Sequence, residues 1–214
     1  MYSTNYAVAG HDGVHPGGAG HLIMAYEYLK AMGLDGDLGT ITVDLKANTA
    51  SAAGGHTIGQ CANGEVTVTS PRYPFCALGD ADSDGVIRSG MGLVPFNDDL
   101  NRLRLVASGG TAQNYKVTWG QESRTYSAGQ LAKGINLAAD FSNNPFCDAF
   151  NKVDMAVAKK QAYETKQIKE VFHHTASANM ETAAEKTESE RAPLAAAIQS
   201  AFTPVTHTLR IEAQ

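Results

Sequence analysis

Asp12 and His15 stand three residues apart in a glycine-rich stretch, Ala9-Gly10-His11-Asp12-Gly13-Val14-His15-Pro16, that ends in proline. At that spacing a carboxylate can fold back onto one imidazole nitrogen and leave the other pointing outward. An imidazole held in this way can take a proton near neutral pH, as a general base must. The plainer reading of the same residues is a polar loop capping a helix. Proline pushes the residue before it toward extended geometry, so His15 is expected on the loop just ahead of that helix.

Other residues invite chemistry, and each has a bland alternative. Asp80-Ala81-Asp82-Ser83-Asp84-Gly85 copies the first half of an EF-hand calcium loop, with Ile87 at the eighth position. The twelfth position is Met91 rather than a bidentate glutamate, and no helical pattern flanks the loop. An acidic surface turn is expected, with weak calcium binding as the alternative. Ser89 and Ser108 have small neighbours that would admit a substrate, yet neither lies in a strand-to-helix nucleophile elbow. His21 reads as a loop-holding residue bonded to backbone. His173 and His174 are adjacent, so on a helix they diverge by about 100° and suit a helix C-terminus better than a shared metal. Cys61, Cys76 and Cys147 make an odd count with no Cys-x-x-Cys spacing. That argues against a zinc site or a disulfide scaffold and suggests a reducing compartment. Neither a metal nor a cofactor is expected.

The block Asp12-Gly13-Val14-His15-Pro16 followed by Gly20-His21 resembles the last conserved block of the SGNH, or GDSL-type, serine hydrolases. There the corresponding aspartate and histidine are the acid and base of a Ser-His-Asp triad, and the substrates are acyl esters, often on carbohydrates or lipids. The downstream chain is similar to the extension that follows this block in some bacterial members. The resemblance implies a carboxylic ester hydrolase with His15 as general base, Asp12 orienting it, and a small-molecule ester as substrate. In the family a Gly-Asp-Ser nucleophile block and oxyanion-hole blocks come before the histidine, but only eleven residues precede Asp12 here. Gly79-Asp80-Ala81 has alanine in the nucleophile's place, and Phe96-Asn97-Asp98 follows Pro95 where glycine belongs; both read as coincidences. The expectation is a truncated hydrolase, the C-terminal portion of a longer one, with its nucleophile absent or replaced. The rival reading is a non-catalytic, β-rich binding or oligomerisation module.

With 214 residues, 43% hydrophobic residues and a formal charge of −5, a globular protein of one large or two small domains is expected. No apolar run is long enough to span a membrane, and the N-terminus lacks a signal-peptide pattern. A cytoplasmic location is expected for this chain, while its parent is open to secretion or export to the periplasm. Net acidity and the lack of a basic, aromatic-laced stripe argue against nucleic acid as a partner.

Three segments must position the candidate residues. Over 1–37, Leu22, Ala25, Tyr26, Leu29 and Met32 recur at helical spacing behind the Asp12–His15 loop, and Gly33 suits a helix stop. Over 38–126, residues alternate at period two: Ile41, Val43 and Leu45; Leu103, Leu105 and Ala107; Tyr115, Val117 and Trp119. Asn63-Gly64 separates strand candidates 56–61 and 65–69, the strongest short hairpin signal. Over 127–214, Ser127 and Gln130 suggest a capping box opening a helix through Ala138, and a longer helix is expected from Phe146 to about His174. A helix interrupted at Pro193 follows, and Val205, His207, Leu209 and Ile211 alternate as a final strand. The fold class is therefore α+β: a loop–helix, an antiparallel sandwich-like unit, a helical hairpin and a last strand. The apolar stripe Leu22, Tyr26, Leu29 and Met32 needs a cover, either the chain's own sheet or a second copy, and a homo-oligomer is expected.

Overall fold

A computed structural model describes residues 5–214, so the first four residues of the 1–37 segment lie outside the described residues. Helix α1 (Gly18–Ala31) comes first. Beyond it Gly33 adopts φ +77°, and Leu34 N donates back to Leu29 O at 3.2 Å, the left-handed stop that a C-terminal glycine provides. Strands β1 (Asp37–Asp44), β2 (Thr49–Ala52), β3 (Thr57–Ala62) and β4 (Glu65–Ser70) follow, then short helices α2 (Ile87–Gly90) and α3 (Phe96–Leu100). Next come β5 (Arg102–Ser108), β6 (Asn114–Trp119), β7 (Glu122–Ser127), α4 (Ala128–Lys133), β8 (Ile135–Asn136) and α5 (Leu137–Asp140). Helices α6 (Cys147–Lys166) and α7 (Met180–Ala201) lead to the last strand, β9 (Val205–Ala213).

The strands form two sheets, ordered β2-β1-β5-β8 and β3-β4-β9-β6-β7. Alternation explains their burial: Ile41, Val43, Leu103, Leu105, Tyr115, Val117, Trp119, Leu209 and Ile211 are buried while the residues between them are not. Asn63 and Gly64 take φ of +52° and +76°, and the hairpin closes with Ala62 opposite Glu65. One pairing departs from the antiparallel expectation. β1 and β5 run parallel, because 45–101 forms the long crossover that parallel neighbours require.

The expected α+β architecture is present, with local differences that have clear causes. The capping box forms, as Gln130 N donates to Ser127 Oγ and Ser127 N to Gln130 Oε1. The helix it opens stops at Lys133 instead of running through Ala138. Gly134 turns to φ +92°, Ile135 and Asn136 pair with Leu105 and Arg104, and Asn136 then caps α5 by accepting from Ala138 N. The helical path from Cys147 does reach His174, but it passes into a π turn at Gln167–Val171 and a 3-10 turn at Phe172–His174. Pro193 does not interrupt α7, which continues through it with one backbone donor missing.

The chain divides into two compact units, Met1–Pro145 with Thr206–Gln214, and Phe146–Val205. The first keeps the short elements that follow Ser127, since β8 belongs to a sheet and β9 joins β6 across Trp119–Leu209. In the second, the π turn that follows α6 is tied to α7 by a buried polar contact, Gln167 Nε2 donating to Thr187 Oγ1 at 2.8 Å. Tyr163 also donates to Thr187 O.

Candidate active site

The loop before α1 is built by its own backbone. Gly10 N donates to Ala7 O and Gly13 N to Gly10 O, each at 3.0 Å. Asp12 Oδ1 accepts from the backbone amides of Val14 and His15, at 3.0 and 2.9 Å, which turns the chain back on itself. Its other oxygen, Oδ2, accepts from His15 Nδ1 at 2.6 Å. The sequence-expected pair is therefore made. Those three bonds, with His15 Nδ1 contributing most, hold the Asp12 carboxyl down at about 2. Asp12 is consequently a carboxylate at any pH where an imidazole changes charge. The His15 side chain is 86% exposed, and its Nε2 has no hydrogen-bond partner among the described residues.

Gly10 is where the loop depends on glycine. It sits at φ +83°, and a Cβ there would stand 2.0 Å from His15 O. Gly13 also has positive φ but nothing within 4 Å of the same position. Gly10→Ala should therefore break the Asp12–His15 hydrogen bond, whereas Gly13→Ala should only strain its own residue. Proton NMR of the downfield imidazole N–H checks this: the signal should vanish in the first variant and persist in the second.

The Asp80–Gly85 segment has a role that its calcium-like spacing did not reveal. Asp84 Oδ2 accepts from Ala7 N at 2.8 Å and stands 3.6 Å from His11 Nε2. Its carbonyl accepts from Ala19 N at 3.1 Å, so one residue ties down both the candidate loop and the first turn of α1. Asp80 Oδ1 accepts from Asp82 N within its own turn. Among the described residues no group of three His, Cys, Asp or Glu side chains could hold a metal. The sequence carried no signal for the Asp84 contact, which spans the distance from residue 84 to residue 7. His21 behaves as expected, its Nδ1 bonding to Gly17 O at 3.0 Å.

Neither candidate serine meets His15. Ser89 is buried, and its Oγ lies 2.5 Å from Ser83 O, 2.9 Å from Val86 O and 2.6 Å from Tyr6 OH. Ser108 is exposed at the end of β5, with its carbonyl accepting from Leu45 N. Burial pushes the Cys61 thiol up, away from thiolate.

Helix α1 is apolar on two faces. Leu22 and Tyr26 are buried with Phe96, against Phe75, Met91, Val94 and Leu100, so the chain's own short helices cover part of the expected stripe. Tyr26 OH donates to Asp99 Oδ2 at 2.5 Å and Lys30 Nζ to the same oxygen at 2.8 Å, anchoring that face. Met24, Tyr28 and Met32 recur every four residues on another face and are 48%, 66% and 68% exposed.

No family model matches the sequence, and no curated protein does. Among solved structures, a gut microbial diltiazem-metabolizing enzyme is similar in fold, with a TM-score of 0.68 at 22% identity. The match covers 97% of this chain and 57% of that one, so the chain spans little more than half the length of that structural relative. Among the described residues no helix is long and apolar enough to cross a membrane.

Proposed function

We propose that this chain carries the acid–base half of a carboxylic ester hydrolase of SGNH type. The carrying observation is the His15 imidazole, held through Nδ1 by Asp12 with Nε2 exposed and unengaged among the described residues. In that role Nε2 takes the proton from a hydroxyl or water as its oxygen attacks the ester carbonyl. The proton then passes to the departing alkoxide, and Asp12 stabilises the imidazolium in between. The attacking oxygen is that of water, as no hydroxyl among the described residues bonds to His15. A structural relative described as diltiazem-metabolizing agrees with a small-molecule substrate, which the resemblance would extend to esters on carbohydrates or lipids. The test is turnover of p-nitrophenyl acetate by the purified protein. A slow rate that disappears in His15→Ala is expected; equal rates in both proteins would refute it.

A second reading, a β-rich oligomerisation module without chemistry, is favoured by the uncovered face of α1. Exposed apolar stripes of this kind are uncommon in monomers. A second copy is the expected cover, most simply with two-fold symmetry. Light scattering at tens of micromolar should give a dimer or larger, and Tyr28→Glu with Met32→Glu should give a monomer. A strictly monomeric wild type would dispose of the homo-oligomer.

A further inference from the structure

Arg88, on α2, is half-buried yet poorly served. Its Nη1 donates one long bond, 3.4 Å, to Gly79 O, and no carboxylate among the described residues pairs with it. The other half-buried arginines are better satisfied. Arg191 donates to Glu188 and Glu164, and Arg102 donates to the carbonyls of Asp98 and Asp99 at 2.8 and 2.9 Å. A half-buried guanidinium without a paired carboxylate has donors to spare, and its planar fork is shaped to hold two oxygens of one carboxylate.

Arg88 lines a cleft of about 260 Å³. Asn97 lines it too; its Oδ1 accepts from Asn101 Nδ2 at 2.9 Å, which leaves its own Nδ2 donor without a partner among the described residues. Phe75, Met91 and Phe141 supply apolar wall. The cleft thus combines a cation, a spare amide donor and hydrophobic surface, the usual make-up of a small-ligand site. A cleft of this size suits a compact molecule rather than a long chain.

We propose that this cleft binds a small monocarboxylate with an apolar body, its carboxylate on Arg88 and Asn97 Nδ2 and its body against Phe75, Met91 and Phe141. The cleft does not use the Asp12–His15 pair, so the assignment stands or falls apart from the hydrolase reading. A neutral amide of the same shape keeps the hydrophobic contacts but cannot satisfy the guanidinium, and this difference makes the site selective.

Calorimetric titration of the full chain with phenylacetate and with phenylacetamide tests it. Phenylacetate should saturate a single site, and phenylacetamide should bind at least about ten-fold more weakly. Arg88→Gln should weaken phenylacetate by a similar factor, with its thermal unfolding followed in parallel to establish that it folds. Met91→Trp, which fills the cleft from its apolar side, should abolish binding. The assignment is overturned if phenylacetate shows no saturable binding up to about 10 mM. Equal affinities for acid and amide on the wild type would overturn it as well, whatever the variants do.

Discussion

Acidifying the protein from pH 6.5 to about 4 should weaken its fold by about 3 kcal/mol through one buried histidine. The cause is His207, buried on β9. Trp119 Nε1, which can only donate, gives its hydrogen to His207 Nδ1 at 3.0 Å. The ring is therefore neutral with its proton on Nε2, which donates to Ser70 Oγ at 3.0 Å. A second proton would place two N–H groups face to face in a buried space. Burial first, and then the nearby His56, push His207 down to about 4. His56 is lowered as well, chiefly by burial; its Nε2 donates to Leu38 O, and its buried Nδ1 has no partner among the described residues. The unfolded chain binds protons near pH 6.5, whereas the folded chain resists them until about 4, so stability falls across that window as pH drops. At ~1.4 kcal/mol per pH unit the His207 share is about 3 kcal/mol, and His56 adds to it in the same direction. Carboxylates with lowered values, such as Asp12 and Glu164, add to the loss only at the acid end of this window and below it, as pH passes their ordinary values of 3.8 and 4.5. Urea unfolding at pH 7, 6, 5 and 4 should show the decline, and His207→Gln, which keeps a donor and an acceptor without titrating, should flatten it. A wild-type stability constant from pH 7 to 4 would contradict this account.

His207 also shows what the sequence can and cannot reveal. Its place in the alternation Val205, His207, Leu209, Ile211 announces an inward-facing residue on a strand, and that is where it lies. Its bonds to Ser70 and Trp119 join residues far apart in the chain, and no local pattern encodes them. The same division holds elsewhere. The Asn63-Gly64 hairpin, the Ser127–Gln130 box and the Asp12–His15 pair are each made within four residues, so spacing alone exposes them. The parallel pairing of β1 with β5 and the clasp of Asp84 on Ala7 depend on how distant segments return to one another. Period also cannot tell which apolar face a fold covers. Leu22 and Tyr26 are covered within the chain, while Met24 and Tyr28 on the same helix stay 48% and 66% exposed.

Asp12→Asn should lower ester turnover by about 10²-fold while leaving the loop folded, a larger loss than the size of the change suggests. Two of the three bonds that Asp12 accepts come from backbone amides onto Oδ1, and an asparagine carbonyl oxygen can accept both. The substitution therefore preserves the turn that presents His15. What it changes is the group 2.6 Å from His15 Nδ1, where a carboxylate oxygen gives way to an amide N–H. Facing a donor, Nδ1 must become the acceptor, and the ring hydrogen moves to Nε2. The nitrogen that should receive a proton then already carries one, and the carboxylate that stabilised the imidazolium is gone. Because Asp12 and His15 are 56% and 86% exposed, water competes for the ring and the loss stays below that of an enclosed triad. Asp12→Ala removes the turn as well and should fall to the level of His15→Ala. Rates on p-nitrophenyl acetate for wild type, Asp12→Asn, Asp12→Ala and His15→Ala, with the imidazole nitrogens followed by NMR, separate orientation from folding. If Asp12→Asn shifts the ring hydrogen to Nε2 and the rate does not change, then His15 takes no proton in the reaction and the loop is structural.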